Sequence, residues 1–436
     1  MRLSTGALAD VLRVNSFRDF WVAFTFSSVG DMMTKTALVW YVFEQSRSTV
    51  EVGLLLLAYA GPVAIGGLLA GYLLDRFDRR TTMLLDSLIR GVVVISIPIA
   101  AATGHLMLWQ VYAVAAVYGF LFMISLAGTP SVIPSLVRED QLTAANSLET
   151  LTFTASGVAG PAIAGLLISA VGAPYVLVVD AASYFLFAIV LTRLRLPEEP
   201  APAVTGQKPP SRGLMEAVRL LLRSPVLLST TLMFMSFNAG FGFLQVWLPV
   251  QADALSAAHG AQLYGTLLTV LAAGETIGAL SAASLTGRLR EGQLICLVQI
   301  LAGLSLALAL IGPTIWSLIP ALFLCGFFSA PMTAWAQTLR MRIIPPPLRG
   351  RTFALLRTMM QASAPAFSAV GGALFGLVGL RVLIGMSVAL ITGPGIIGTR
   401  IGELTAAGGP LPAAADPAVD HAIPEPSPVD PADPVT

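Results

Sequence analysis

Twelve predominantly apolar stretches, each long enough to cross a bilayer as one helix, follow one another along most of the chain. They lie near 19–43, 51–74, 81–103, 108–134, 143–170, 174–195, 225–250, 260–286, 292–312, 315–339, 351–378 and 381–400. A hydrocarbon core takes about 20 apolar residues per helix, and inside it only a helix or a closed barrel satisfies its own backbone polar groups. The chain is therefore expected to be an all-α membrane protein with twelve transmembrane helices. Charged residues make up 11% of it, against about 25% in a soluble domain, which excludes an ordinary soluble enzyme.

The net charge of +1 gives no reason to expect a nucleic-acid partner. The two cysteines, Cys296 and Cys325, lie in apolar runs, and His105, His259 and His421 fall in loops or the tail. No disulfide framework, metal cluster or Asp–His–Ser hydrolase arrangement is expected from them. No Gly-rich loop ends in Lys-Ser/Thr, so ATP-driven pumping is not expected either. The first run follows charged Arg13, Arg18 and Asp19 without a cleavage site and reads as a retained span. Arg47 and Arg381 fall in loops on the far side, and Lys35, Arg90 and Arg357 within spans. The remaining basic residues share the side that holds both termini, which the positive-inside rule places in the cytoplasm of a cell-membrane protein.

A single constant offset brings Trp40 onto Trp247, Gly53 onto Gly260, Gly67 onto Gly274, Gly71 onto Gly278, Gly119 onto Gly326, Gly165 onto Gly372 and Gly172 onto Gly379. A six-span unit duplicated in parallel explains these coincidences. The expected divisions are a leader (1–18), a six-helix bundle (19–195), a linker (196–223), a second bundle (224–400) and a tail (401–436). The tail carries Asp416, Asp420, Glu425, Asp430 and Asp433 among Ala and Pro with no Lys or Arg, and is expected to be disordered and cytoplasmic.

Between the second and third runs lies Gly71-Tyr72-Leu73-Leu74-Asp75-Arg76-Phe77-Asp78-Arg79-Arg80. Gly71 allows close helix approach, and Asp75 suits the positive end of another helix. Arg76, Arg79 and Arg80 can hold carboxylates or lipid phosphates. The segment resembles the cytoplasmic loop signature of the major facilitator superfamily, with Asp78 where the pattern has Gly. That resemblance implies an inner gate in which Asp75 engages the start of the eleventh run. Here that start offers Arg349 and Arg351 around Gly350. The matching loop of the second half, near Gly287, Arg288 and Arg290, has no acid, so the latch would be one-sided. A merely topogenic basic loop is the plainer reading.

In the fifth run, Ser156, Gly160, Pro161, Ala164 and Gly165 resemble the fifth-helix signature of the superfamily's exporters and antiporters. Pro161 bends the helix and the small residues permit a tight seam. Leu136, Arg138, Leu142, Ala145, Asn146 and the stretch from Arg18 to Asp31 are similar to the branch containing enterobactin exporters and macrolide efflux pumps. The fourth-helix Arg of many proton-driven drug pumps is replaced by Ala115.

Ionisable residues at membrane depth are expensive and tend to be functional. Asp31 lies about 18 Å into the first run, and Lys35 follows one turn later, placed to neutralise it. Glu275, about fifteen residues into the eighth run, has no charged neighbour on its own helix. It is the expected proton-loading carboxyl, with Asp31 and Lys35 as further charge-coupling residues. Structural pairing or packing is the alternative for each. Asp86 and Arg90 are expected to be structural, and Asp180 is placed near the outer end of the sixth run. Phe24, Met32, Phe234, Asn238, Phe241 and Gln245 are expected at a central cavity for a bulky amphipathic solute.

Together these features suggest a monomeric, cofactor-free secondary transporter in contact with membrane lipids and driven by a proton gradient. The expected task is export of an amphipathic small molecule such as a drug, macrolide or siderophore. Proton-coupled uptake by symport, and a non-transporting lipid-handling or sensor protein, are the alternatives.

Overall fold

A computed structural model describes residues 5–194, 211–285, 289–312, 314–345 and 348–408. The helices are α1 (Thr5–Leu12), α2 (Asn15–Ser46), α3 (Thr49–Arg76), α4 (Arg79–Ala102), α5 (Leu108–Leu136), α6 (Leu142–Val171) and α7 (Ala173–Arg193). After α8 (Ser211–Arg223) come α9 (Pro225–Leu255), α10 (Gly260–Leu285), α11 (Glu291–Leu306), α12 (Leu308–Ile311), α13 (Ile315–Ile343), α14 (Arg349–Gly398) and α15 (Gly402–Ala406). Gly379, at φ 74°, breaks α14 into two limbs.

By length and composition, 9 helices among the described residues suit a membrane crossing. With α2, α3 and the second limb of α14 they make the expected twelve. Large apolar side chains such as Leu280, Ile311, Trp316 and Leu377 are exposed, as expected where lipid is the solvent. Local chemistry sets the breaks. Ser48 and Ser224 accept hydrogen bonds from the first-turn amides of Glu51 and Leu227, at 3.5 and 3.3 Å.

In the first bundle α2 packs on α6 and α7, α3 on α5, and α4 on α5 and α7. In the second, α9 packs on α14, α10 on α13, and α11 on α13 and α14. Several of the duplicated glycines sit at equivalent crossings. A Cβ on Gly119 would fall 1.7 Å from the Tyr59 carbonyl oxygen of α3, and one on Gly326 would fall 2.2 Å from the Leu271 oxygen of α10. Gly165 rests on Ala261 and Gln262 at the start of α10, and Gly372 rests on Thr49 and Val50 at the start of α3. Gly172 and Gly379 both turn the chain with positive φ, at 91° and 74°.

The bundles meet along α6–α10 and α3–α14. Contacts between them gather toward the side away from the termini. Arg47 pairs with Asp253 at 2.6 Å, Thr49 donates to the Gly372 carbonyl at 2.9 Å, and Trp40 stacks on Tyr264 with centroids 6.0 Å apart. Deeper in, Thr269 of α10 donates to the Val158 carbonyl of α6 at 3.1 Å.

Two connecting segments are more structured than their composition suggests. The end of the linker forms α8, whose buried Leu221 joins Leu227, Ile344 and Leu356 in one apolar cluster. The tail, expected to be disordered from residue 401, begins with α15. There Leu404 is buried, its carbonyl oxygen lies 1.8 Å from where a Gly292 Cβ would be, and the Gly292 amide donates to the Ala407 carbonyl at 3.1 Å. The remainder of the tail lies outside the described residues.

Candidate functional site

A cavity of about 240 Å³ opens between the bundles. From the first bundle Lys35, Tyr59 and Met123 reach its wall, and from the second Asn238, Phe241, Gln245 and Gln361. Asn238 also donates to the Met360 carbonyl at 2.8 Å, which fixes its amide. Lys35 stands 5.9 Å from the Tyr59 ring centroid, a cation–π contact.

Three residues expected at the cavity pack elsewhere. Phe24 lies in an aromatic cluster with Phe20, Phe153 and Phe187. Phe234 lies under the Arg340 guanidinium, 4.9 Å from ring centroid to Cζ. Met32 fills the hollow left by Gly160, whose Cβ would fall 2.4 Å from its own. Apolar residue type alone could not separate a cavity face from a packing face.

Asp31 and Lys35 do not neutralise each other as their spacing suggested. Asp31 turns into the first bundle, where Tyr118 and Tyr184 donate to its Oδ1 and the Arg90 guanidinium stands 3.7 Å away. Arg90 also binds Asp86 at 2.6 Å, Tyr184 at 2.9 Å and the Ser125 hydroxyl. A guanidinium with several donors meets this demand better than a lysine on the same helix face. Asp180, placed by sequence near a helix end, is fully buried in the same region, where Thr34 donates to its Oδ2 at 2.5 Å. Gly30 makes room for it, since a Cβ there would fall 2.3 Å from Asp180 Oδ1. Two carboxyls thus sit against one guanidinium, with a third, Asp180, within electrostatic reach of it.

Lys35 reaches the cavity instead, where Glu275 of the other bundle is its electrostatic neighbour. Glu275 projects from α10 between the side that meets α6 through Thr269 and Ala272 and the side that meets α13 through Gly274 and Gly278. The exposed Glu275 carboxyl, expected to be isolated, therefore has a charged neighbour on the other bundle, within electrostatic reach but beyond ion-pair distance, one that sequence separation conceals.

The fifth-helix motif forms a two-sided seam. Gly160 packs on α2 through Met32 and the Val29 carbonyl, while Gly165 and the Pro161 carbonyl meet Ala261, Gln262 and Gly265 of α10. Ser156 and Ala164 are buried in the same helix.

A family model described as the Major Facilitator Superfamily matches residues 20–369. The chain belongs to this superfamily. It is similar to the enterobactin exporter EntS of Salmonella typhimurium, 26% identical over 88% of this chain and 90% of that protein. The MFS-type transporter YfiS of Bacillus subtilis is 30% identical over 47% of this chain, which spans about half (49%) of that relative's length. Among solved structures, a bacterial homolog of the lysosomal transporter Spinster, inward-facing and occupied, has a TM-score of 0.69 at 15% identity, covering 89% of this chain and 97% of that one. The nucleoside transporter NupG gives 0.68 at 12% identity, covering 88% and 98%. The protein is thus a multi-pass membrane transporter, and not an enzyme.

The superfamily's loop signature is built differently from its expected latch. Asp78, the departure from the pattern, N-caps α4 and accepts from the Thr81 amide at 2.8 Å and its hydroxyl at 2.7 Å. Partial burial pushes its carboxyl up, but these bonds and the neighbouring Arg80 outweigh it and hold the group below its ordinary value. Arg79 donates to the Ser131 carbonyl of α5 at 3.1 Å, and Arg80 to the Leu191 carbonyl at 2.6 Å and to Thr192, closing the end of α7. Arg349, expected to face Asp75, donates instead to the Met341 and Ile344 carbonyls at the end of α13, at 3.1 and 3.2 Å. Arg76 is exposed at the end of α3. The Asp75 and Arg351 side chains, and the surroundings of Gly71, lie outside what is described.

Proposed function

We propose that this superfamily member is a secondary active exporter of amphipathic small molecules, driven by proton entry and working by alternating access between residues 19–195 and 224–400. The observation that carries the reading is the placement of the cavity. It lies between the bundles, has walls from both, and is flanked by ionisable groups whose partners lie within one bundle on one side and across the interface on the other. Aromatic, Met and amide groups on the wall suit a largely apolar solute with a few polar groups. We place the coupling proton in the Asp31 cluster, where carboxyls outnumber the single guanidinium. Lys35 and Glu275 form the charge pair that must rearrange as the bundles rock. The similarity to the enterobactin exporter supports the export direction, and the count of basic residues supports cytoplasmic termini and a cell-membrane location, with the chain acting as a monomer.

Everted membrane vesicles test the direction. With an acid interior they are expected to accumulate a labelled amphipathic dye, to lose it on addition of a protonophore, and to lose the gradient dependence in Asp31→Asn. Accumulation driven by an acid exterior would show uptake by symport instead, and no gradient-dependent flux of any solute would overturn the reading.

A further inference from the structure

Resting on the proposed cavity, we infer that the cargo is an anionic amphipath and that the Lys35 ammonium binds its anionic group, in electrostatic competition with the Glu275 carboxylate of the other bundle. Lys35 is the one charged side chain among the described residues that line the cavity. Its own-helix carboxyl is not competing for it, because Asp31 is held by Arg90, Tyr118 and Tyr184 within the first bundle. The remaining negative charge near Lys35 is Glu275, on a helix of the other bundle. No hydrogen bond from Lys35 to protein is needed to keep it in place, since the Tyr59 ring supports the ammonium from one face.

An ammonium at the wall of an apolar cavity favours a solute that brings a carboxylate, sulfonate, phenolate or phosphate on an aromatic or aliphatic body. A neutral solute of the same shape leaves the charge on Lys35 uncompensated and gains only apolar contact. A cationic one meets repulsion from Lys35. The Asn238 amide, fixed on the Met360 carbonyl, and those of Gln245 and Gln361 then serve the polar groups of the solute body. Because the anion neutralises Lys35, loading weakens its attraction to Glu275 across the interface, which links cargo binding to the separation of the bundles.

The test is equilibrium binding to the full chain in nanodiscs, measured against empty nanodiscs, with two fluorescent probes of like body. These are anionic 8-anilinonaphthalene-1-sulfonate and neutral N-phenyl-1-naphthylamine. The wild type is expected to bind the sulfonate about tenfold more tightly than the amine, the scale of one charge-assisted hydrogen bond in a partly buried site. Lys35→Met is expected to remove that preference, Lys35→Arg to keep most of it, and Glu275→Gln to tighten the sulfonate several-fold by removing the internal competitor. Equal binding of the two probes by the wild type, an equal loss of both in Lys35→Met with no recovery in Lys35→Arg, or a weakened sulfonate in Glu275→Gln would each overturn the inference. The measurement uses no gradient and no flux, so its outcome stands apart from that of the vesicle experiment.

Discussion

The two bundles follow one plan of backbone contacts yet differ sharply in buried charge. Equivalent glycines bring α5 onto α3 and α13 onto α10. At matching positions, however, Asp31 of the first bundle corresponds to Asn238 of the second, Tyr118 to Cys325, Asp180 to Ser387 and Tyr184 to Ile391. Asn238 makes a local bond to the Met360 carbonyl, and Ser387 accepts from the Trp247 indole at 3.4 Å. A six-helix bundle therefore holds together without the charge cluster. Small residues at the crossings do the packing in both halves. Because burying ions gives little net stability, the cluster of the first bundle is not needed to hold a bundle of this plan together.

The comparison breaks most visibly at Arg90. Replacing it with Met strands Asp31 and Asp86 in the bundle and is expected to cost on the order of 3–5 kcal/mol, read as a fall in thermal unfolding temperature in detergent. Adding Asp86→Asn should restore part of the loss. In the second bundle, Asn238→Ala, at the position that matches Asp31, gives up one hydrogen bond and should cost about 0.5–1.5 kcal/mol. Equal losses at the two sites would show that the bundles do not differ as described.

Gly119→Ala and Gly326→Ala sharpen the other half of the comparison. Each new Cβ meets a backbone carbonyl, so both should destabilise by about 1–3 kcal/mol in the same assay. A large loss in one and none in the other would refute the shared plan.

A smaller effect separates the connecting loops. Asp78→Ala removes the cap of α4 and should cost about 0.5–2 kcal/mol near neutral pH. The folded carboxyl titrates below its ordinary value, so this stabilisation is present above the unfolded pKa of about 3.9 and is lost as the pH falls through the lower folded value. The difference between wild type and Asp78→Ala should thus close in acid. The loop before α11 starts instead with Arg290, whose amide donates to Gln293 Oε1 at 3.3 Å, and should show no such dependence.

What could be read from the residues depended on whether the signal was local. The spans were legible because twenty apolar residues leave few alternatives, and the repeat was legible because close crossings need glycine at fixed places. Gly172 and Gly379, with their positive φ, show this most directly. Partners across helices were hidden. The four-residue step from Asp31 to Lys35 places two groups on neighbouring faces, but Arg90 and two tyrosines from other helices decide where the carboxyl turns. Asp180 carried one clue, the glycine at position 30 that clears space for it. Phe24 and Phe234 carried none, since an aromatic at a core contact and one at a cavity wall look alike in sequence. Arg80 and Arg349 resembled gate residues, but the unpaired carbonyls at the ends of α7 and α13 capture them.

The account depends on the bundles separating on the side away from the termini, where Arg47 meets Asp253. The most direct test places cysteines at both positions in a protein whose Cys296 and Cys325 are alanine, and joins them with a short, reducible bis-methanethiosulfonate. Solute flux in proteoliposomes is expected to stop on bridging and to return on reduction. A bridged protein that transports as fast as the unbridged one would contradict the account.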